Sequence, residues 1–235
     1  MKQAIMAFLL LSTICVYSQI KMTVTPQNNK CMLDCKMKIT FINTSKNNYM
    51  IPLDTTGIRA YDGNIFWLDF KNSKKVDKSL CLELSIKKSN TEFPLEATTR
   101  KKDIDMDLIN FDSLSIIAKK ENDEYQEKLE NWKVKYKIKD NKKAEKNMYL
   151  NENLLFLESG QEFSYYIKFD TSFELENNYF SPESYYLITP DTKYHAVLKL
   201  KIPNNIQSYF TTEQKEKYKK YKIFAGDIIS KPLSL

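Results

Sequence analysis

Asp54 is the residue whose setting comes nearest to chemistry. It ends the apolar run Ile51-Pro52-Leu53 and is followed by Thr55, Thr56 and Gly57. Hydrolysis by a proton-sharing acid pair needs two carboxylates about 3 Å apart, each on a tight Asp-Thr-Gly or Asp-Ser-Gly turn. Here Thr56 separates Thr55 from Gly57. Asp170-Thr171 offers a second copy with Ser172 in the glycine position, and Asp191-Thr192 a third with Lys193 there. An Asx-turn after a strand explains Asp54 more simply. The sequence therefore assigns Asp54 to a turn and gives the chain no catalytic residue.

Asp103, Asp105 and Asp107 supply hard oxygens that suit calcium. An EF-hand loop opened by Asp103 would need glycine and glutamate where Leu108 and Leu114 stand, so no metal ligand is assigned. His195 is the only histidine, and Ser-His-Asp or Cys-His catalysis would both depend on it. It alternates with Tyr194 and Ala196 and is expected on an outward face. Carboxylates that converge only in three dimensions stay open as a rival, because glycoside hydrolysis sets a spacing in space rather than along the chain.

Lys-Tyr alternation at 133–143 and 216–222 carries the residue types that neutralise phosphate and stack on bases. Yet Arg59 and Arg100 are the only arginines, so forked recognition is scarce. Thirty acids against 36 bases give a mixed charge, and no nucleic-acid partner is expected. The four glycines are isolated and form no phosphate-cradling loop, and no cofactor is expected.

Compartment follows from the first residues. Lys2, the apolar segment Ala4–Val16, and Val16 and Ser18 at the third and first positions before a cut read as a secretory signal peptide over residues 1–18. It is too short to span a bilayer, and no later run approaches the ~18 apolar residues of a span. The expectation is a secreted or periplasmic chain, residues 19–235, with no transmembrane segment after signal removal. Cys31, Cys35 and Cys81 then remain, an odd number without zinc-type spacing. One bridge and one buried thiol are expected, pairing either Cys31 with Cys35 or Cys35 with Cys81.

These residues must be positioned mainly by strands. Residues 20–26 alternate, and Met37, Ile39 and Phe41 alternate against Lys36, Lys38 and Thr40. Asp62-Gly63 reads as a hairpin turn. Leu80, Leu82, Leu84 and Ile86 share a face turned away from Cys81, Glu83 and Ser85. Two strands flank Ser159-Gly160. Residues 194–202 alternate cleanly, residues 211–221 read as a helix capped by Thr211 or Thr212, and the last strand carries Pro232. Residues 95–148 are charge-dense and form an expected insertion. Within it Tyr125, Leu129 and Trp132 lie at helical spacing, and Val134, Tyr136 and Ile138 then switch to strand spacing.

The segments CKMKITFINTS, ESGQEFSYYIKFD, DTKYHAVLKLKI and IFAGDIISKPLSL together resemble the strand succession of exported bacterial immunoglobulin-like domains. The resemblance implies a mainly β chain: one antiparallel β-sandwich with a partly helical insertion and a short helix before the last strand. It also implies Tyr194 as a corner tyrosine and Ala196 where antibody-type domains keep a cysteine, with Trp67 as a candidate core residue. That fold hosts many functions. The functional expectation is a non-enzymatic binding protein for an envelope or extracellular protein, a protease or a polysaccharide. Its contacts are expected from the insertion and from a loop bearing Tyr179, Phe180, Tyr185 and Tyr186. A hydrolase with converging acids and a calcium-stabilised adhesion module are the alternatives.

Overall fold

A computed structural model of the chain describes residues 19–27, 35–61, 70, 78–100, 109–169, 172–174, 183–189 and 191–235. The signal peptide, Cys31, the Asp62-Gly63 turn, Trp67, the Asp103–Asp107 run, Asp170, Tyr179 and Phe180 lie outside the described residues. Strand outweighs helix, 36% to 28%, and most strand pairs are antiparallel, so the chain is mainly β.

The first sheet has the order β1 (Ile20–Pro26), β2 (Cys35–Asn43), β8 (Glu162–Phe169), all antiparallel. Alternation sorts its side chains as the sequence reading expected. Met22, Met37, Ile39, Phe41 and Ile167 are buried, while Thr23, Lys36, Lys38 and Lys168 are exposed. The second sheet runs β4 (Ile58–Ala60), β5 (Leu82–Lys88), β11 (Tyr194–Ile202), β13 (Gly226–Ile229), with β14 (Leu233–Ser234) also on β11. Leu82, Leu84 and Ile86 of β5 and Ala196, Leu198 and Leu200 of β11 are buried together in the main core.

Two smaller sheets follow among the described residues. One is β12 (Lys222–Ile223), β3 (Tyr49–Pro52), β7 (Leu154–Leu157); the other is β6 (Thr98–Arg100), β10 (Glu183–Tyr185), β9 (Ser172–Glu174). The strands on either side of Ser159-Gly160 therefore belong to different sheets, and Gly160 between them has a positive φ of 77°. The C-terminal segment is not one strand but three, broken at Gly226, where φ is 107°, and around Pro232. Tyr194, at the start of β11, accepts a hydrogen bond at its hydroxyl from the Thr189 amide at 3.0 Å.

The insertion is more helical than the sequence pattern implied. Helix α1 spans Phe111–Tyr136 and continues through the segment expected to turn into a strand. The physical reason is that Leu129, Trp132 and Tyr136 already form a stripe at i, i+3 and i+7, so Tyr136 satisfies both periods. Val134, which only the strand reading needs inside, is exposed. Lys137 ends the helix in the left-handed region, and Asp140 caps α2 (Asn141–Glu152) by accepting from the Lys143 amide at 2.7 Å. Leu129, Ile138, Ala144 and Met148 form a small second core, with Trp132 and Tyr136 against it.

Trp132 donates from Nε1 to Asn147 Oδ1 at 2.8 Å. Asn147 in turn donates to the Tyr209 carbonyl and to Gln214, both at 2.7 Å. Gln214 belongs to α3 (Thr212–Lys217), where Thr211 and Gln214 form a capping box. One buried amide thus fastens the insertion to the C-terminal part of the chain.

Asn43 does the same between sheets. It is fully buried and donates from Nδ2 to the carbonyls of Asn47, Leu157 and Glu158, while Oδ1 accepts from the amide and hydroxyl of Ser45. Asn43→Asp would aim a carboxylate at three carbonyl oxygens, whereas Asn43→Ala only removes their amide donor. The expected outcome is a loss of about 3 kcal/mol for alanine and a larger loss for aspartate. Urea unfolding with an unchanged m-value checks this; equal losses for the two variants would contradict it.

Candidate functional site

The chemistry-bearing side chains converge at Asp54. Strand β3 delivers it: the Leu53 amide donates to the Asn153 carbonyl at 2.8 Å, and the Asp54 amide donates to the Leu80 carbonyl at 3.0 Å. Its side chain is only 3% exposed. Oδ1 accepts from the Thr56 amide at 2.9 Å and from the Thr56 hydroxyl at 2.6 Å, so the expected Asx-turn is present. Oδ2 accepts from the Tyr149 hydroxyl of α2 at 2.7 Å, and the buried Cys81 thiol lies close to the carboxylate. The Tyr149 oxygen also accepts from the Leu80 amide at 3.3 Å.

A carboxylate has about four acceptor positions, and three of those at Asp54 are met by Thr56 and Tyr149. Burial pushes its carboxyl up, but the bonds from Thr56 and Tyr149, with the Cys81 thiol close by, outweigh burial and hold it below the ordinary value. A general acid would need the opposite shift. Burial, with the Asp54 charge beside it, pushes the Cys81 thiol up to about 12, the reverse of an activated nucleophile. The same two causes push the Tyr149 phenol up. Tyr165 of β8 has a buried hydroxyl, also pushed up by burial and by the Cys81 and Asp54 groups. Asp54, Thr56 and Tyr149 thus form a buried hydrogen-bonded knot, while the Tyr165 hydroxyl is buried with no hydrogen-bond partner among the described residues.

Cys81 is a buried free thiol close to Asp54, so the Cys35–Cys81 pairing is corrected. The Cys31–Cys35 pairing falls outside the described residues through Cys31. Cys81 does face away from the leucines, as its alternation required, but that second face of the strand is buried too. Two residues on, Glu83 pairs with Arg59 at 3.3 Å, both side chains 9% exposed. Burial raises the Glu83 carboxyl, and the charges of Arg59, Lys199 and Lys201 oppose it. His195 is half-buried on β11, in register with Lys87 and Ser234. Among the described residues no three His, Cys, Asp or Glu side chains could together hold a metal ion.

The expected aromatic interface is corrected at Tyr186. It is 3% exposed, and its hydroxyl donates to the Leu84 carbonyl and accepts from the Tyr61 amide, both at 2.6 Å. It pins β5 to the end of β4 and presents nothing to a partner. Tyr185 is half-buried at the end of β10.

What the molecule does present is α1. From Phe111 to Lys128 every residue except Leu114 is exposed, and Ile116 and Ile117 are 68% and 51% exposed. Farther along the helix, Glu124, Glu127, Lys128, Asn131, Trp132 and Lys135 line a shallow groove of about 390 Å³. No protein-family model matches the chain, and neither curated proteins nor solved structures supply a match.

Asp54→Asn removes the charge around which the Thr56 and Tyr149 donors are arranged, and a loss of about 2–3 kcal/mol at pH 7 is expected. The Asp54 value is lower folded than unfolded. Its contribution is therefore full above the unfolded value of about 3.9 and disappears as pH falls through the folded one. Urea unfolding from pH 7 to pH 3 should show the native chain converging on the variant. Above about pH 9 the unfolded chain releases the Cys81 proton while the folded chain keeps it, so stability should fall with rising pH. A variant as stable as the native chain across this range would remove the knot's role.

Proposed function

We propose that this chain is an exported, non-enzymatic binding protein of immunoglobulin-like fold that meets an envelope or extracellular protein through the α1 arm. The fold reading is supported by strand order. β1-β2-β8 and β13-β11-β5 correspond to the A-B-E and G-F-C orders of an immunoglobulin sandwich, and the Tyr194 hydroxyl bonds back to the chain five residues upstream, as a corner tyrosine does. Export is the reading of residues 1–18. The binding reading gains from the Asp54 knot, where the most reactive residue types are engaged internally.

The observation that carries the reading is the exposure of Ile116 and Ile117 on a helix surrounded by solvent for most of its length. An isolated helix of that extent is marginal in water. The arm's own supports are modest: the Asn110 cap on the Ser113 amide, Asp112 in the first turn and the Lys120–Glu124 pair at 3.8 Å. A partner that covers the two isoleucines adds the apolar burial that the body does not give them, about 1.5–3 kcal/mol for each side chain fully buried.

Affinity capture of the mature chain from its own envelope tests this. The native chain should retain a partner that Ile116→Glu/Ile117→Glu loses. The variant's urea midpoint should stay within about 0.5 kcal/mol of native stability, because both positions are exposed. Capture of the same proteins by both chains would overturn the reading.

A further inference from the structure

The wet face of the first sheet is ordered in rows across three strands. The register places Lys21, Ile42 and Glu162 in one row and Thr23, Thr40 and Ser164 in the next. Thr25, Lys38 and Tyr166 follow, and then Lys36 opposite Lys168. Strand spacing makes this a flat strip about 10 Å wide, with rows about 7 Å apart. The hydroxyls of Thr40 and Ser164 lie 2.7 Å apart. Tyr166 is 59% exposed, and Lys36, Lys38 and Lys168 are exposed around it. Among the described residues the three strands place one acid on this face, Glu162, in the row farthest from Lys36.

Lys38 lies two residues along the same strand from Lys36 and faces the same way. The face thus sets the exposed Lys36 and Lys38 beside a flat aromatic ring, next to a row of neutral hydroxyls. We infer that this face binds an acidic polysaccharide. The lysines match carboxylate or sulfate groups, the threonine and serine hydroxyls match sugar hydroxyls, and the Tyr166 ring offers an amphipathic platform to the apolar side of a pyranose. A nucleic acid fits less well, because among the described residues no arginine fork and only one exposed stacking ring lie here. A bilayer fits less well because, among the described residues, Ile42 is the one large aliphatic side chain on this face and it is half-buried.

The inference goes beyond the α1 arm and is independent of it. The test titrates the mature chain with alginate, a polyuronate, and with dextran sulfate, using neutral dextran, a mixed-sequence DNA and anionic phospholipid vesicles as the other arms. Binding to one or both acidic polysaccharides is expected at low salt, weakening as salt rises, and the two arms distinguish carboxylate from sulfate. Lys36→Gln/Lys38→Gln should weaken it at least tenfold. Lys36→Gln alone should leave stability unchanged, which a purely structural lysine would not do. Tyr166→Ala should weaken binding at every salt concentration. Ile116→Glu/Ile117→Glu should bind as the native chain does, so failure of the arm reading and failure of this one can be told apart. Equal affinity of the lysine variant, equal binding of neutral dextran, or preference for DNA or vesicles would each overturn the proposal.

Discussion

A carboxylate taken out of water has to be met by donors from whatever surrounds it, and at Asp54 that requirement organises the chain. The donors come from two places, Thr56 just beyond β3 and Tyr149 on α2, and the Cys81 thiol just before β5 lies close to the carboxylate. Tyr149 is 95 positions from Asp54 in sequence. Neighbouring backbone groups join the same region, with the Asp54 amide on the Leu80 carbonyl and the Leu80 amide on the Tyr149 oxygen. None of these segments can move without leaving a buried charge short of a donor. The α-helical insertion is therefore joined to the β-body by a polar constraint as well as by apolar contact.

Asn43 and Asn147 repeat this device with neutral amides. Each is fully buried, and each joins segments far apart in sequence. The arrangement suits a body made of short strands in four sheets. Short strands share few ladder bonds, so the places where one sheet gives way to the next are where backbone groups would otherwise be left unmet. Side-chain amides, which donate and accept at once, can satisfy both kinds of orphan.

Alternation made the wet-faced strands legible. In β2 the contrast of Met37, Ile39 and Phe41 with Lys36, Lys38 and Thr40 follows from one face being in water, and β11 reads the same way. The signal fails where both faces are dry. Cys81 and Glu83 looked outward by periodicity and are buried, because Asp54 and Arg59 cover that side of the strand. It fails again at Tyr136, where helix and strand periods coincide, and at α2, whose lysines and asparagines conceal the spacing of Ala144 and Met148. At Asp54 the turn was legible because Thr56 is local. Tyr149 and Cys81 were not, since no local pattern marks a contact made across the fold.

With the polar interior engaged, recognition falls to surfaces, and the two on offer obey different physics. The exposed isoleucines of α1 act through apolar burial, which salt does not screen. The lysine rows of the first sheet act through charge, whose reach contracts to about 8 Å at physiological ionic strength. A ligand on the sheet face must therefore come close and be densely charged, while a partner on the arm must bring an apolar surface of its own. One chain can hold both at once, because the first sheet fixes its lysines by strand register and α1 is anchored separately, through Leu129 and Trp132 on α2.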